Sequence, residues 1–143
     1  MPFLQARNIQ KTYYRKTSWL GHRRAVCAVD GVDLEMNEGE TLGLVGESGS
    51  GKSTLGRLLL QLEKQDAGEI YFRGEDLAKK TEEEVRALRR QMQMVFQDPY
   101  GSLNPRMSVY QLLMEPLQIF EREVSRPEKT KRILEALQRV GLR

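Results

Sequence analysis

Between Leu42 and Thr54 the residue types and their order are those needed to hold a polyphosphate. Glycines stand at 46, 49 and 51, and Lys52, Ser53 and Thr54 follow at once. A polyphosphate carries several negative charges, so its site must gather donors closely around the oxygens. Glycines let the backbone bend back with no Cβ in the way, so that successive amides converge. A helix opening at about Lys52 adds its own free N–H groups, aimed at the same point. Gly46, Gly51, Lys52 and Ser53 fit the Gly-x-x-x-x-Gly-Lys-Ser/Thr pattern, in which the lysine reaches the β- and γ-phosphates and the hydroxyl ligates Mg²⁺. The alternative is a glycine-rich turn that merely precedes a lysine. An apolar run on one side and leucines at helical spacing on the other supply the strand-loop-helix setting that the phosphate reading needs. The sequence is that of a nucleotide binder.

The elements that must position this loop follow from periodicity. Leu42 to Val45 is apolar at nearly every position, which predicts a strand covered on both faces in a mostly parallel sheet. The following helix is expected from Lys52 to Glu63, with Leu55, Leu58, Leu59 and Leu62 on its inner face. Upstream, Phe3 to Gln10 reads as a strand ending near Tyr13, Tyr14 to Arg24 as a basic loop containing Trp19 and Gly21, and Ala25 to Met36 as apolar alternation around a bulge or turn at Asp30-Gly31. Asn37-Glu38-Gly39 reads as a hairpin turn. Downstream come a turn at Asp66-Ala67-Gly68, a short strand Glu69 to Phe72 ended by Arg73-Gly74, and a helix opening at Thr81. There Thr81 and Glu84 form a capping-box pattern, and Val85 and Leu88 mark the inner face. The run Glu82-Glu83-Glu84 suits a helix N-terminus better than a catalytic acid cluster. Met92 to Phe96 reads as a buried strand broken at Asp98-Pro99. Leu113, Leu117 and Phe120 mark a helix containing Pro116, and Ile133, Leu137 and Val140 mark another, entered through Ser125-Arg126-Pro127.

Composition bounds the class. The 143 residues make one ordinary domain or part of a larger one, and 39% apolar, 30% charged and a mean hydropathy of −0.57 describe a soluble chain with a modest core. No apolar run approaches bilayer-spanning length and the first residues show no secretory segment, so the expected place is the cytosol. The single Cys27 cannot form an internal disulfide and is expected to be a buried structural thiol. The lone His22 has no ligand or triad partners nearby in sequence. No acidic residue precedes Asp30, whereas Arg7, Lys11, Arg15, Lys16, Arg23 and Arg24 do. This basic arm lacks the aromatic interleaving of a single-strand binder, so nucleic acid is not the expected partner; a solvated loop, or one near phosphates or lipid, is.

A second motif narrows the class. Gln97-Asp98-Pro99-Tyr100-Gly101-Ser102-Leu103-Asn104-Pro105-Arg106-Met107, after an apolar run, resembles the Q-loop region of ABC-transporter ATPase subunits, in the long form of the oligopeptide, dipeptide and nickel importer branch. Gly46 to Leu55 and Ala28-Val29-Asp30-Gly31-Val32 are similar to the same branch. The resemblance implies an α/β fold, the P-loop NTPase of the ABC ATPase type. It would comprise an N-terminal antiparallel β part (1–41, the nucleotide-base region), a partial parallel core sheet (42–98, phosphate loop to Q-loop) and the start of the helical subdomain (99–143). It implies that Gly46, Glu47, Ser48, Gly49, Ser50, Gly51, Lys52, Ser53 and Thr54 hold the phosphates of ATP, with Ser53 on Mg²⁺. It implies that Gln97 touches Mg²⁺ or the attacking water, in a loop that feels the membrane subunit; an ordinary loop glutamine is the alternative. Tyr13 falls where the family stacks an aromatic on adenine, with Tyr14 as competitor and a plain core tyrosine as the other reading.

The implied partners are transmembrane permease subunits and a second ATPase subunit, on the inner face of the plasma membrane. The transported peptide or nickel would not touch this chain. The family's Leu-Ser-Gly-Gly-Gln signature, its apolar strand ending in Asp-Glu and its switch histidine have no match here, and His22 lies on the wrong side of the loop. The chain thus resembles an N-terminal half, expected to bind Mg-ATP without hydrolysing it and to be marginally stable alone. A non-transport ABC-type ATPase or regulator, and a non-functional truncated product, are the alternatives.

Overall fold

The computed structural model describes residues 2–16 and 23–142. Trp19, Gly21 and His22 lie outside the described residues. The chain forms two compact units, Met1–Gln93 and Met94–Arg143.

The first unit is built on an antiparallel sheet of four strands, β1 (Leu4–Lys16), β2 (Arg23–Met36), β3 (Ala67–Phe72) and β4 (Glu75–Asp76), in the order β2-β1-β3-β4. β1 and β2 run together from Leu4↔Met36 to Lys16↔Arg23. The expected loop is therefore shorter than Tyr14 to Arg24: the pairs Tyr14↔Ala25 and Arg15↔Arg24 extend the ladder into it. Register shifts fall where Asn8 (φ 48) and Gly31 (φ 63) leave the extended region, as expected of bulges. The Asp33 carboxylate accepts from the Asn8 N–H at 2.8 Å and fixes this irregularity. Asn37-Glu38-Gly39 is a turn, closed by Glu40 N–H to Asn37 O at 3.2 Å, but it leads into no strand.

Helix α1 (Lys52–Leu59) lays Leu55, Leu58 and Leu59 onto Ala6, Ile9, Val29, Ile70 and Phe72 of the sheet. It ends earlier than expected. Gln61 takes a left-handed φ of 51, while Leu62 N–H reaches Arg57 O at 2.9 Å and Gln61 N–H reaches Leu58 O at 3.0 Å, a Schellman-type stop. Leu62 is thereby thrown off the inner face and exposed. A single 3₁₀ turn (Leu77–Lys79) buries Leu77, and α2 (Glu82–Leu88) opens with the Thr81/Glu84 capping box fully formed. Its Val85 and Leu88 are half-buried.

The partial parallel core sheet is not formed: among the described residues every strand pairing is antiparallel. Leu42 to Val45 and Met92 to Phe96 are not strands. A ladder needs a partner strand, and neither stretch pairs with any described strand; Val45 is left 98% and Val95 96% exposed, whereas Met92 is buried in the core of the first unit. Cys27 is likewise exposed rather than buried; it lies on β2, an edge strand of the sheet.

The second unit contains α3 (Pro99–Ser102), α4 (Val109–Phe120) and α5 (Arg126–Arg139). α4 carries Pro116 internally and is capped by Ser108, whose side chain and Gln111 bond each other's backbone N–H. Met114 and Ile133 are the buried apolar side chains of α4 and α5, while Val140, expected on the inner face, is exposed. Tyr110 Oη and Thr130 Oγ1, 2.8 Å apart, tie the two helices. Arg132 adds ion pairs to Glu121 at 2.7 Å and Glu128 at 3.2 Å.

Candidate nucleotide site

The loop before α1 curls around its own lysine. Lys52 Nζ donates to Gly46 O at 2.6 Å, Glu47 O at 2.6 Å and Ser50 Oγ at 3.1 Å, and Ser50 N–H closes the turn on Glu47 O at 3.2 Å. Gly49 (φ 84) and Gly51 (φ 90) supply the left-handed backbone that this curl requires. Gly51 is also pressed against β2: a Cβ there would lie 2.0 Å from Ala28 O. The β1–β2 ribbon thus sets where the helix starts.

Gly51 is the N-cap of α1, has no side chain to bond the first amides, and no acidic residue stands in the first turn. The N-terminal N–H groups and a lysine ammonium therefore meet in one glycine-lined turn, a donor set suited to an anion and not to a cation alone. These residues fit a nucleotide's phosphates. Ser53 is exposed in the first turn of α1, where its hydroxyl would serve Mg²⁺. Among the described residues no three His, Cys, Asp or Glu side chains gather to hold a metal.

Tyr13 projects from β1 toward the same helix. Its hydroxyl donates to Glu63 Oε2 at 2.7 Å, and Thr54 of α1 is near enough to act on the phenol. The bond to the Glu63 carboxylate, followed by burial, raises the phenol above its ordinary value against an opposing effect of Thr54. Tyr13 is 36% exposed and so is no core tyrosine; Tyr14, at 68%, is more exposed still. Lys11 Nζ stands 5.8 Å from the Tyr13 ring centroid. It also bonds Asp66 Oδ1 at 3.0 Å and Lys64 O at 2.7 Å, and lies 3.8 Å from Glu63. Asp66 in turn accepts from Thr12 N–H at 2.7 Å. That backbone bond, then Lys11, holds the Asp66 carboxyl below the usual range.

Gln97 belongs to the second unit, exposed at a bend just before α3. The neighbouring Asp98 carboxylate accepts from Gly101 N–H at 3.1 Å and shapes that turn. The structure brings Tyr13, Thr54 and the phosphate loop together within the first unit.

The family model described as ABC transporter matches residues 29–143. The chain belongs to this family. It is 44% identical over 142 residues to the dipeptide transport ATP-binding protein DppF of Escherichia coli (strain K12), an alignment covering 99% of this chain and 42% of that protein. It is 45% identical over 134 residues to the oligopeptide transport ATP-binding protein OppF of Lactococcus lactis subsp. lactis, covering 92% of this chain and 42% of that one. Among solved structures, the ATP-binding cassette MJ0796, captured as a dimer in a post-hydrolysis state bound to ADP and Pi, superposes with a TM-score of 0.78 at 29% identity over 98% of this chain and 58% of that one. The cassette cbiO1 from Clostridium perfringens gives 0.71 at 25% identity, covering 99% and 51%. This ABC-family chain thus spans about 42% of the length of the transport proteins it matches.

Glu63, Lys11 and Asp66 escaped the sequence reading. No short-range signal marks them, because Tyr13 and Glu63 meet only once β1 has packed beside α1. The Ser108/Gln111 capping box was visible in principle as a Ser-x-x-Gln spacing.

Proposed function

We propose that this chain is the nucleotide-holding part of an ATP-binding subunit that powers uptake of peptides through separate permease subunits. The observation that carries the reading is the phosphate loop: a lysine ammonium and the uncapped N–H groups of α1 converge in one glycine-lined turn. Lys52, Thr54 and the amides of Glu47 to Gly51 would hold the phosphates of ATP. Ser53 would serve Mg²⁺, which supplies charge neutralisation on the phosphates when bound. Gln97 would touch the metal or the attacking water, and Tyr13 would stack on adenine. The chain's similarity to dipeptide and oligopeptide transport proteins supports oligopeptide or dipeptide, rather than nickel, as the cargo, which would bind the permease and not this chain. Pairing with a second ATPase subunit is supported by the dimeric form of MJ0796. Attachment from the cytoplasmic side through the permease fits a chain in which, among the described residues, no helix is long and apolar enough to cross a membrane.

The same proposal includes binding without turnover by this chain alone, since none of its residues matches the carboxylates that the family uses downstream of Gln97. One experiment covers both parts. A fluorescent ATP analogue with Mg²⁺ should bind the wild-type chain, and Lys52→Ala should weaken it at least about tenfold, the scale of a lost charge-assisted contact. Unchanged affinity in the variant refutes the site. Steady phosphate release that Lys52→Ala abolishes refutes the lack of turnover.

A further inference from the structure

We infer that Glu63 is a positioning residue for the nucleotide base: it clamps the Tyr13 hydroxyl so that the ring is presented beside the phosphate loop. The inference rests on the nucleotide site proposed above and concerns a residue that neither the phosphate-binding pattern nor the Gln97 motif includes.

Tyr13 stands near the end of β1, on a ribbon with register shifts between Ala6 and Thr12. A side chain there has no core packing to fix its rotamer, being 36% exposed. Stacking on a flat ligand needs a ring already held in one orientation, since immobilising it on binding costs affinity. The described structure supplies a restraint at each end of the side chain. The hydroxyl is bonded to Glu63 at 2.7 Å, and Lys11 Nζ stands over the ring at 5.8 Å from its centroid. Lys11 is itself fixed by Asp66 at 3.0 Å and Lys64 O at 2.7 Å, in the segment that leads from α1 into β3. Glu63 lies just beyond the Schellman-type stop of α1, so the clamp ties the ring to the helix whose other end opens the phosphate loop. The raised phenol titration of Tyr13, caused first by the Glu63 bond, agrees with a neutral hydroxyl donating to a carboxylate. Base and phosphates would then be set by the two ends of one short helix.

The test separates base from phosphates by comparing Mg-ATP with Mg-tripolyphosphate, which has the phosphate chain and no base. Tyr13→Phe keeps the ring and removes the hydroxyl; Glu63→Ala removes the acceptor; Glu63→Gln keeps an acceptor oxygen. Tyr13→Phe and Glu63→Ala should each weaken Mg-ATP about three- to tenfold, the scale of one net hydrogen bond, and leave tripolyphosphate unchanged. The double variant should be no weaker than either single one, and Glu63→Gln should recover most of the loss. Unchanged ATP affinity in both single variants overturns the inference. So does a parallel loss of ATP and tripolyphosphate, which would mean that Glu63 supports the loop as a whole. Failure of the underlying site looks different: tripolyphosphate and ATP binding would both be insensitive to Lys52→Ala.

Discussion

Three glycines around the phosphate loop offer a graded test of its geometry, because their surroundings differ while the substitution is the same. Gly51 has φ 90, and an added Cβ would sit 2.0 Å from the Ala28 carbonyl oxygen, a backbone atom that cannot swing away; this is a full ångström below the 3.0 Å under which real Cβ atoms essentially never approach. Gly49 has φ 84 with nothing within 4 Å, and Gly43 has neither a positive φ nor a neighbour within 4 Å. Alanine at Gly49 should therefore meet the left-handed strain alone, about 1–3 kcal/mol. Alanine at Gly51 should meet that strain plus overpacking against β2, bringing the total to about 2–6 kcal/mol. Alanine at Gly43 should change stability by less than about 0.5 kcal/mol. Since a domain has about 5–15 kcal/mol in hand, Gly51→Ala should come near to unfolding the first unit. Equilibrium urea unfolding of the three variants reads the order directly, with affinity for the fluorescent ATP analogue as the functional arm. Equal losses at Gly49 and Gly51 would show that the approach of Ala28 is not the cause. A neutral Gly51→Ala would refute the loop geometry itself.

Two further outcomes follow from the same coordinates. The Asp66 carboxyl is depressed by the Thr12 N–H and Lys11, so its stabilising effect is complete above the ordinary aspartate value of about 3.9 and fades as the pH falls through the lower folded value. Asp66→Asn should therefore be less stable than wild type in urea at pH 7, with the gap closing below about pH 4; a gap independent of pH contradicts this. The exposed apolar side chains of Leu42, Leu44, Val45, Val95 and Phe96 should make the chain bind a hydrophobic dye and self-associate as its concentration rises, with each side chain forgoing about 1.5–3 kcal/mol of burial. Leu44→Lys with Val45→Lys should reduce both effects, and a wild-type chain that stays monomeric and dye-free would refute the exposure.

What the sequence reveals and what it hides divide along the distance between partners. The phosphate loop, the start of α1 with its Leu55, Leu58 and Leu59 face, and the Thr81/Glu84 box all depend on residues within about a turn or two of one another, so spacing alone exposes them. The end of α1 is hidden because Gln61 rather than glycine takes the left-handed position, and no residue type announces that. The strands expected at Leu42 to Val45 and Met92 to Phe96 have the right composition. Composition makes a strand only where another strand runs beside it, and that is a property of distant chain. The apolar neighbours of Cys27 predict burial, and they carry no sign that β2 is an edge strand. The Tyr13–Glu63 bond joins residues 50 positions apart, and each looks ordinary in its own neighbourhood.

This division also separates the two halves of nucleotide recognition. An ammonium has three N–H donors, and all three of Lys52 have acceptors inside its own loop, at Gly46, Glu47 and Ser50. The turn is thus held in shape largely by the residue that would meet the phosphates, over a span of six residues, with the sheet entering at Gly51, pressed against Ala28 O of β2. The base side proposed for Tyr13 would depend on more distant contacts. Tyr13 reaches α1 only because β1 is paired with both β2 and β3 and because Lys11 and Thr12 are tied to Asp66. Contacts of long sequence separation carry the larger loop-closure cost and are the first to loosen when a unit is marginally stable. Affinity for the phosphate chain should therefore persist under mild destabilisation that already removes discrimination for the base, so the sheet, more than the loop, would govern whether the proposed site distinguishes a nucleotide from a bare polyphosphate.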